Sequence, residues 1–153
     1  MRFSPLALAA ILLPASGCAT MSGGQERYYV CSYDTVWNAA VETLKGRSIA
    51  SQDKEKGVIE TAWIEMEGNE RAYGIFSREG FGNRERARLV MTVRRHDDVA
   101  SVSVVETRQR WHARGGITQQ ATKWWPVDPS EEALQDVTTR LNSKLQEKGC
   151  SAT

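Results

Sequence analysis

Long apolar runs are the first thing this chain has little of. The longest, Leu6 to Leu13, falls well short of the roughly 20 residues that carry a helix across a bilayer, so it does not read as a permanent span. An excess of one charge is missing as well: 20 Lys and Arg stand against 19 Asp and Glu. Without a basic field to attract phosphates, general nucleic-acid binding is excluded. Histidine is scarce, with His96 and His112 far from zinc-motif spacing. No Gly-x-Ser-x-Gly elbow, phosphate loop or dinucleotide glycine pattern occurs. Glu60, Glu65 and Glu67 stand close in sequence, but acids strung along one strand read as a solvated face rather than a glycosidase pair. The expectation is no enzyme, no metal and no cofactor.

What is present begins at the amino end. Arg2 supplies a positive start, Leu6 to Leu13 an apolar segment, and Ala15-Ser16-Gly17 the small residues a peptidase needs, directly before Cys18. Ala-Ser-Gly-Cys resembles the lipobox of bacterial lipoproteins. That resemblance implies a signal peptide over 1–17, cleavage between Gly17 and Cys18, and lipidation of the Cys18 sulfur and of the new amino group. Several acyl chains anchor stably where one does not, at about 0.8 kcal/mol per buried methylene. An ordinary secretory signal with an incidental cysteine is the alternative.

Arg2 is the only charge in 1–17, so the remainder carries equal numbers of each sign, and its length suits one domain with a real core. Residues 18–26 form the anchor and a small, polar, flexible spacer, and 27–150 the domain. Cys31 and Cys150 remain near its two ends. In an oxidising compartment an even remainder suggests a disulfide, the alternative being two unpaired cysteines.

Within the domain, Arg27 to Cys31 is rich in strand formers and ends at Ser32, a helix cap. Val36, Trp37, Ala40, Val41 and Leu44 then fall on one helical face, which predicts a helix over about 33–45, stopped by Gly46. Residues 48–52 and 57–66 bracket the charged turn Asp53 to Gly57 as a hairpin. The pattern dissolves over 67–83, where aromatics sit among glycines. Arg84 to Arg95 is the clearest strand, with Ala87, Leu89, Met91 and Val93 alternating against a largely basic face. His96-Asp97-Asp98 turns it into a partner over 99–110, and an edge strand is expected over 118–125 ahead of Pro126. Trp124-Trp125 either packs under the last helix or anchors at a membrane interface. That helix starts with Asp128 as cap, Pro129 and Glu131, buries Leu134, Val137, Leu141 and Leu145, and ends at Gly149.

These elements predict an α+β fold, helix-grip-like, with two amphipathic helices packed on one face of an antiparallel sheet in the order β-α-β-β-β-β-α. The run Tyr-Asp-Thr-Val-Trp-Asn-Ala-Ala-Val-Glu-Thr-Leu at 33–44, followed by Ile49, Asp53, Gly57-Val58-Ile59 and Thr61-Ala62-Trp63, resembles the BamC family of outer-membrane assembly lipoproteins over residues 28–148. The family's characterised members carry two such domains after a long extended segment, whereas here one domain follows a spacer of about eight residues. The resemblance implies a periplasmic or envelope location and an envelope protein as partner, among them the machinery that assembles β-barrels; Ala19 after the lipidated cysteine, in place of the aspartate that in enteric-type sorting retains lipoproteins at the inner membrane, makes a lipid-anchored protein of the outer membrane facing the periplasm the expectation. Its work would be binding or scaffolding; carriage of a small apolar ligand or lipid is the alternative.

The binding candidates are the guanidinium groups of Arg84, Arg86, Arg88 and Arg94, joined by Arg108 and Arg110 from the neighbouring strand. Arginine forks suit phosphates and carboxylates. The competing reading is a charged face that keeps the sheet soluble.

Overall fold

The computed structural model describes residues 24, 26–68, 84–112 and 123–153. The expectations for the signal peptide, Gly17, Cys18, most of the spacer, the 67–83 segment beyond Gly68, and the stretch 113–122 lie outside the described residues.

One long hairpin organises the rest. β5 (Arg84–His96) and β6 (Val99–His112) pair from Glu85 opposite Arg110 to His96 opposite Val99. Alternation along β5 puts Ala87, Leu89, Met91 and Val93 on one face, all buried, and Arg84, Arg86, Arg88, Val90 and Thr92 on the other. Each long strand is flanked by two short ones laid end to end. β3 (Val58–Thr61) and β4 (Ile64–Glu67) run along β5, while β1 (Arg27–Val30) and β7 (Lys123–Val127) run along β6. With β2 (Ile49–Asp53) outside β3 and β8 (Ser151–Ala152) outside β1, the result is an open, antiparallel, eight-stranded sheet.

Two helices cover the apolar face. In α1 (Tyr33–Thr43) the Ser32 hydroxyl accepts the Thr35 N–H, Asp34 favours the positive first turn, and Gly46 beyond the last turn has φ +91°. α2 (Glu131–Glu147) buries Val137, Leu141 and Leu145. These meet Val36, Trp37, Ala40 and Leu44 of the α1 segment, and Ile59, Leu89, Met91, Val93, Val102 and Val104 of the sheet, in one core. Cys31 and Cys150 form a disulfide, their α-carbons 5.4 Å apart across 119 residues of chain. It joins the end of β1 to the start of β8, so the last residues are part of the sheet, and the Thr153 N–H donates to the Tyr28 carbonyl.

Among the described residues the order is therefore β-α-β-β-β-β-β-β-α-β, with more strands than the predicted β-α-β-β-β-β-α. The second arm of the first hairpin breaks at Ala62–Trp63 into β3 and β4, because Thr61 turns its side chain into the gap: its Oγ1 accepts the Leu89 N–H at 2.9 Å. β7 runs through Pro126 instead of ending before it, since an edge strand is where a ladder tolerates a missing N–H. The cap of α2 is Ser130 and not Asp128. Glu106 holds the Ser130 N–H with its carboxylate, and the Ser130 hydroxyl accepts the Ala133 N–H at 3.3 Å. The helix can only start after that clasp.

Candidate functional site

The sheet face turned away from the helices carries Arg84, Arg86 and Arg88 on alternate residues of β5, and it brings tryptophans to them. The Arg86 guanidinium lies 4.3 Å from the Trp63 ring centroid and 4.4 Å from that of Trp124, sandwiched between β4's approach and β7, while its Nε donates to Gln109 Oε1 at 2.9 Å. Arg88 lies 4.8 Å from the Trp63 centroid, and Trp111 meets Trp124 edge-on at 5.3 Å. Flat, weakly hydrated guanidinium groups stack on indole faces, each contact contributing about 0.5–2 kcal/mol according to desolvation. Arg88 is also paired with Glu60, and Arg84 with Glu65. The predicted basic face is thus a ladder of alternating cations, rings and acids, largely neutralised by its own neighbours. Arg94 lies at the other end of the same face, exposed and opposite Ser101.

Arg108 and Arg110 do not belong to this face. They fall in register with Ala87 and Glu85, on the helix side, where both hold the Glu85 carboxylate, Arg108 through its Nε at 2.7 Å. Burial pushes the Glu85 carboxyl up, but the hydrogen bonds and charges of Arg110 and Arg108 outweigh it and hold it below its ordinary value. Two arginines become half-buried here because their shared counter-charge, Glu85, stands directly across from Arg110 and diagonal to Arg108.

Beside this cluster, on the helix side, a cleft of 380 Å³ opens between the first turns of α2 and strands β4 to β6. Its floor is Ile64, Met66, Ala87 and Leu89, and Arg47, Glu106, Arg108 and Asp136 stand round it. The layer between α2 and the sheet is therefore closed over the last turns of the helix, where Leu141 and Leu145 are fully buried, and open over the first.

A third constellation joins Glu26, Ser101 and His96. The Ser101 hydroxyl donates to Glu26 Oε1 at 2.7 Å, and His96 Nε2 lies 3.0 Å from Ser101 Oγ. With its proton given to the carboxylate, Ser101 receives the imidazole N–H instead of surrendering a proton to it, the reverse of an activated serine. Ser101 is also 0% exposed. The Ser101 hydrogen bond, ahead of the charges of Arg94 and His96, holds the Glu26 carboxyl below its usual range. The group fastens the segment before β1 to the sheet. Among the described residues no three His, Cys, Asp or Glu side chains converge as a metal site.

The tryptophan partners of Arg86 were not foreseen. Their signal was present in Trp63, Trp111 and Trp124, the first between β3 and β4 and the other two in β6 and β7, but their common face depends on the break at Ala62–Trp63. Comparison with protein-family models finds no match, and comparison with curated proteins finds none either.

Proposed function

We propose that this chain is a lipid-anchored envelope protein of the outer membrane, its helix-grip-like domain held in the periplasm and acting by contact with a neighbouring protein. The observation that carries this reading is the division of the three cysteines. Cys31 and Cys150 are bridged, as suits an oxidising compartment, which leaves the cysteine of Ala15-Ser16-Gly17-Cys18 for a lipid. The resemblance to the BamC family makes the β-barrel assembly machinery the first partner to test.

The test is crosslinking and capture from solubilised envelopes, comparing the native chain with Cys18→Ala. A defined envelope protein should be recovered with the native chain and lost or reduced with the variant. Recovery of the same proteins from both, together with an N-terminus that mass spectrometry finds unacylated, would overturn the reading.

A second reading has one observation in its favour. The cleft over Ile64, Met66 and Leu89, with arginines and acids at its rim, has the size and mixed lining of a site for a small amphipathic ligand. Native mass spectrometry of the protein purified from envelopes would show a bound molecule released on denaturation; a bare mass dismisses it.

A further inference from the structure

The path by which the chain reaches the sheet determines which side of the domain is turned toward its anchor. Gly24 lies against the Val104 carbonyl, so closely that a side chain there would collide with it, and a β-carbon would stand 3.1 Å from a methyl of Val105. Val105 is opposite Val90 and shares the face of Arg86 and Arg88, not that of the helices. Glu26 is held on that face too, accepting from Ser101 and, at 3.3 Å, from the Tyr28 hydroxyl. Gly24 and Glu26 therefore lie on the open-face side of the gap along β6 between β1 and β7.

Cys18 precedes Gly24 by six residues, which span about 20 Å at full extension. A helix is about 10 Å thick. To set α1 and α2 against a bilayer, this short tether would have to turn back through that gap and cross the helix layer as well. Lying on the open face costs it nothing of the kind.

We propose that in the anchored protein the open face of the sheet is apposed to the lipid headgroups, while the helices and the cleft face the aqueous space. This rests on acylation of Cys18. The surface has the chemistry of an interfacial face: Tyr28 is 39% and Val30 49% exposed, Trp63 and Trp124 are amphipathic, and Arg94 is exposed at one end for lipid phosphates. Apposition hides the arginine–tryptophan ladder and presents the helix layer to soluble partners.

The experiment uses the full-length chain, made in a Gram-negative host, extracted in mild detergent and reconstituted into phosphatidylethanolamine and phosphatidylglycerol vesicles. With Cys18 acylated and the other two bridged, one introduced cysteine is the only free thiol. Fluorophores are placed singly at Ser103→Cys on the open face and Ser143→Cys on the outer side of α2. Lipids brominated near the headgroup should quench the label at 103 several-fold more than the label at 143. Native tryptophan emission gives a label-free check, since Trp63, Trp111 and Trp124 lie on the apposed face and should be quenched in the unsubstituted protein. Equal or reversed quenching at the two sites, with no tryptophan quenching, overturns the orientation; an acylated N-terminal peptide in the same sample leaves the lipoprotein reading standing. An unacylated peptide removes both.

Discussion

The Leu89 amide finds its acceptor in the Thr61 hydroxyl, 2.9 Å away and buried, at the one point where the ladder along β5 changes from β3 to β4. A side chain substitutes for the missing strand carbonyl. Thr61→Val keeps the shape and removes the acceptor, leaving a buried N–H unsatisfied at a cost of about 1–3 kcal/mol. We expect a lower urea midpoint with an unchanged slope, and substantial recovery in Thr61→Ser. A midpoint equal to the parent's would mean water or another carbonyl serves Leu89 equally well.

Arg86 between Trp63 and Trp124 offers a second test. Two stacked faces at about 0.5–2 kcal/mol each predict a loss of roughly 1–4 kcal/mol in Arg86→Met. Arg86→Lys keeps the charge without the flat fork, so it should recover only part. Near-ultraviolet circular dichroism should weaken in both, because the indoles lose the plate that orders them.

Glu85 predicts an acid limb of stability. Its carboxyl is held below the ordinary value in the folded chain, so the folded state binds this proton less readily than the unfolded one. The contribution is complete above the unfolded value of about 4.3 and fades as pH falls through the folded value. Glu85→Gln strips Arg108 and Arg110 of their counter-charge and should cost about 3–5 kcal/mol at neutral pH. It should also flatten the fall in stability below pH ~4, as followed by denaturant titration at several pH values. A parallel pair of pH profiles would refute the assignment.

The Cys31–Cys150 bridge spans 119 residues, and in the chain-entropy model a loop of that size contributes about 4–5 kcal/mol. Cys31→Ser with Cys150→Ser should lose stability on that scale, reductant should do the same to the parent, and the double variant should ignore reductant. Non-reducing mass spectrometry checks the bond itself, lighter by two hydrogens than the reduced chain.

The strongest periodicities were readable from residues alone. β5 alternates cleanly because one of its faces is wholly apolar, and α1 and α2 show their stripes between Ser32, Gly46 and Gly149, residues whose backbone chemistry punctuates any helix. What escaped reading depended on distant partners. Arg108 and Arg110 continue the parity of Val102 and Val104, but half-buried arginines on the helix side are explained only once Glu85 is known to hold them both. Ser130 wins the cap of α2 from Asp128 because of Glu106, 24 residues upstream. The arginine–tryptophan stack needed the break after Thr61, and the cleft needed the rim between α2 and β4, neither of which has a local signature.

The division between a central hairpin and a far-flung edge has a consequence in time. β5 and β6 are joined by a two-residue turn and can zip with little loop-closure entropy, whereas β8 must find β1 across most of the chain. We expect pulse-labelled amides to become protected first in the hairpin and last where Tyr29 meets Ala152. A thiol pair at that late seam can oxidise correctly only after everything between has settled, so the bridge acts as a lock turned on a finished structure rather than as a guide to building it.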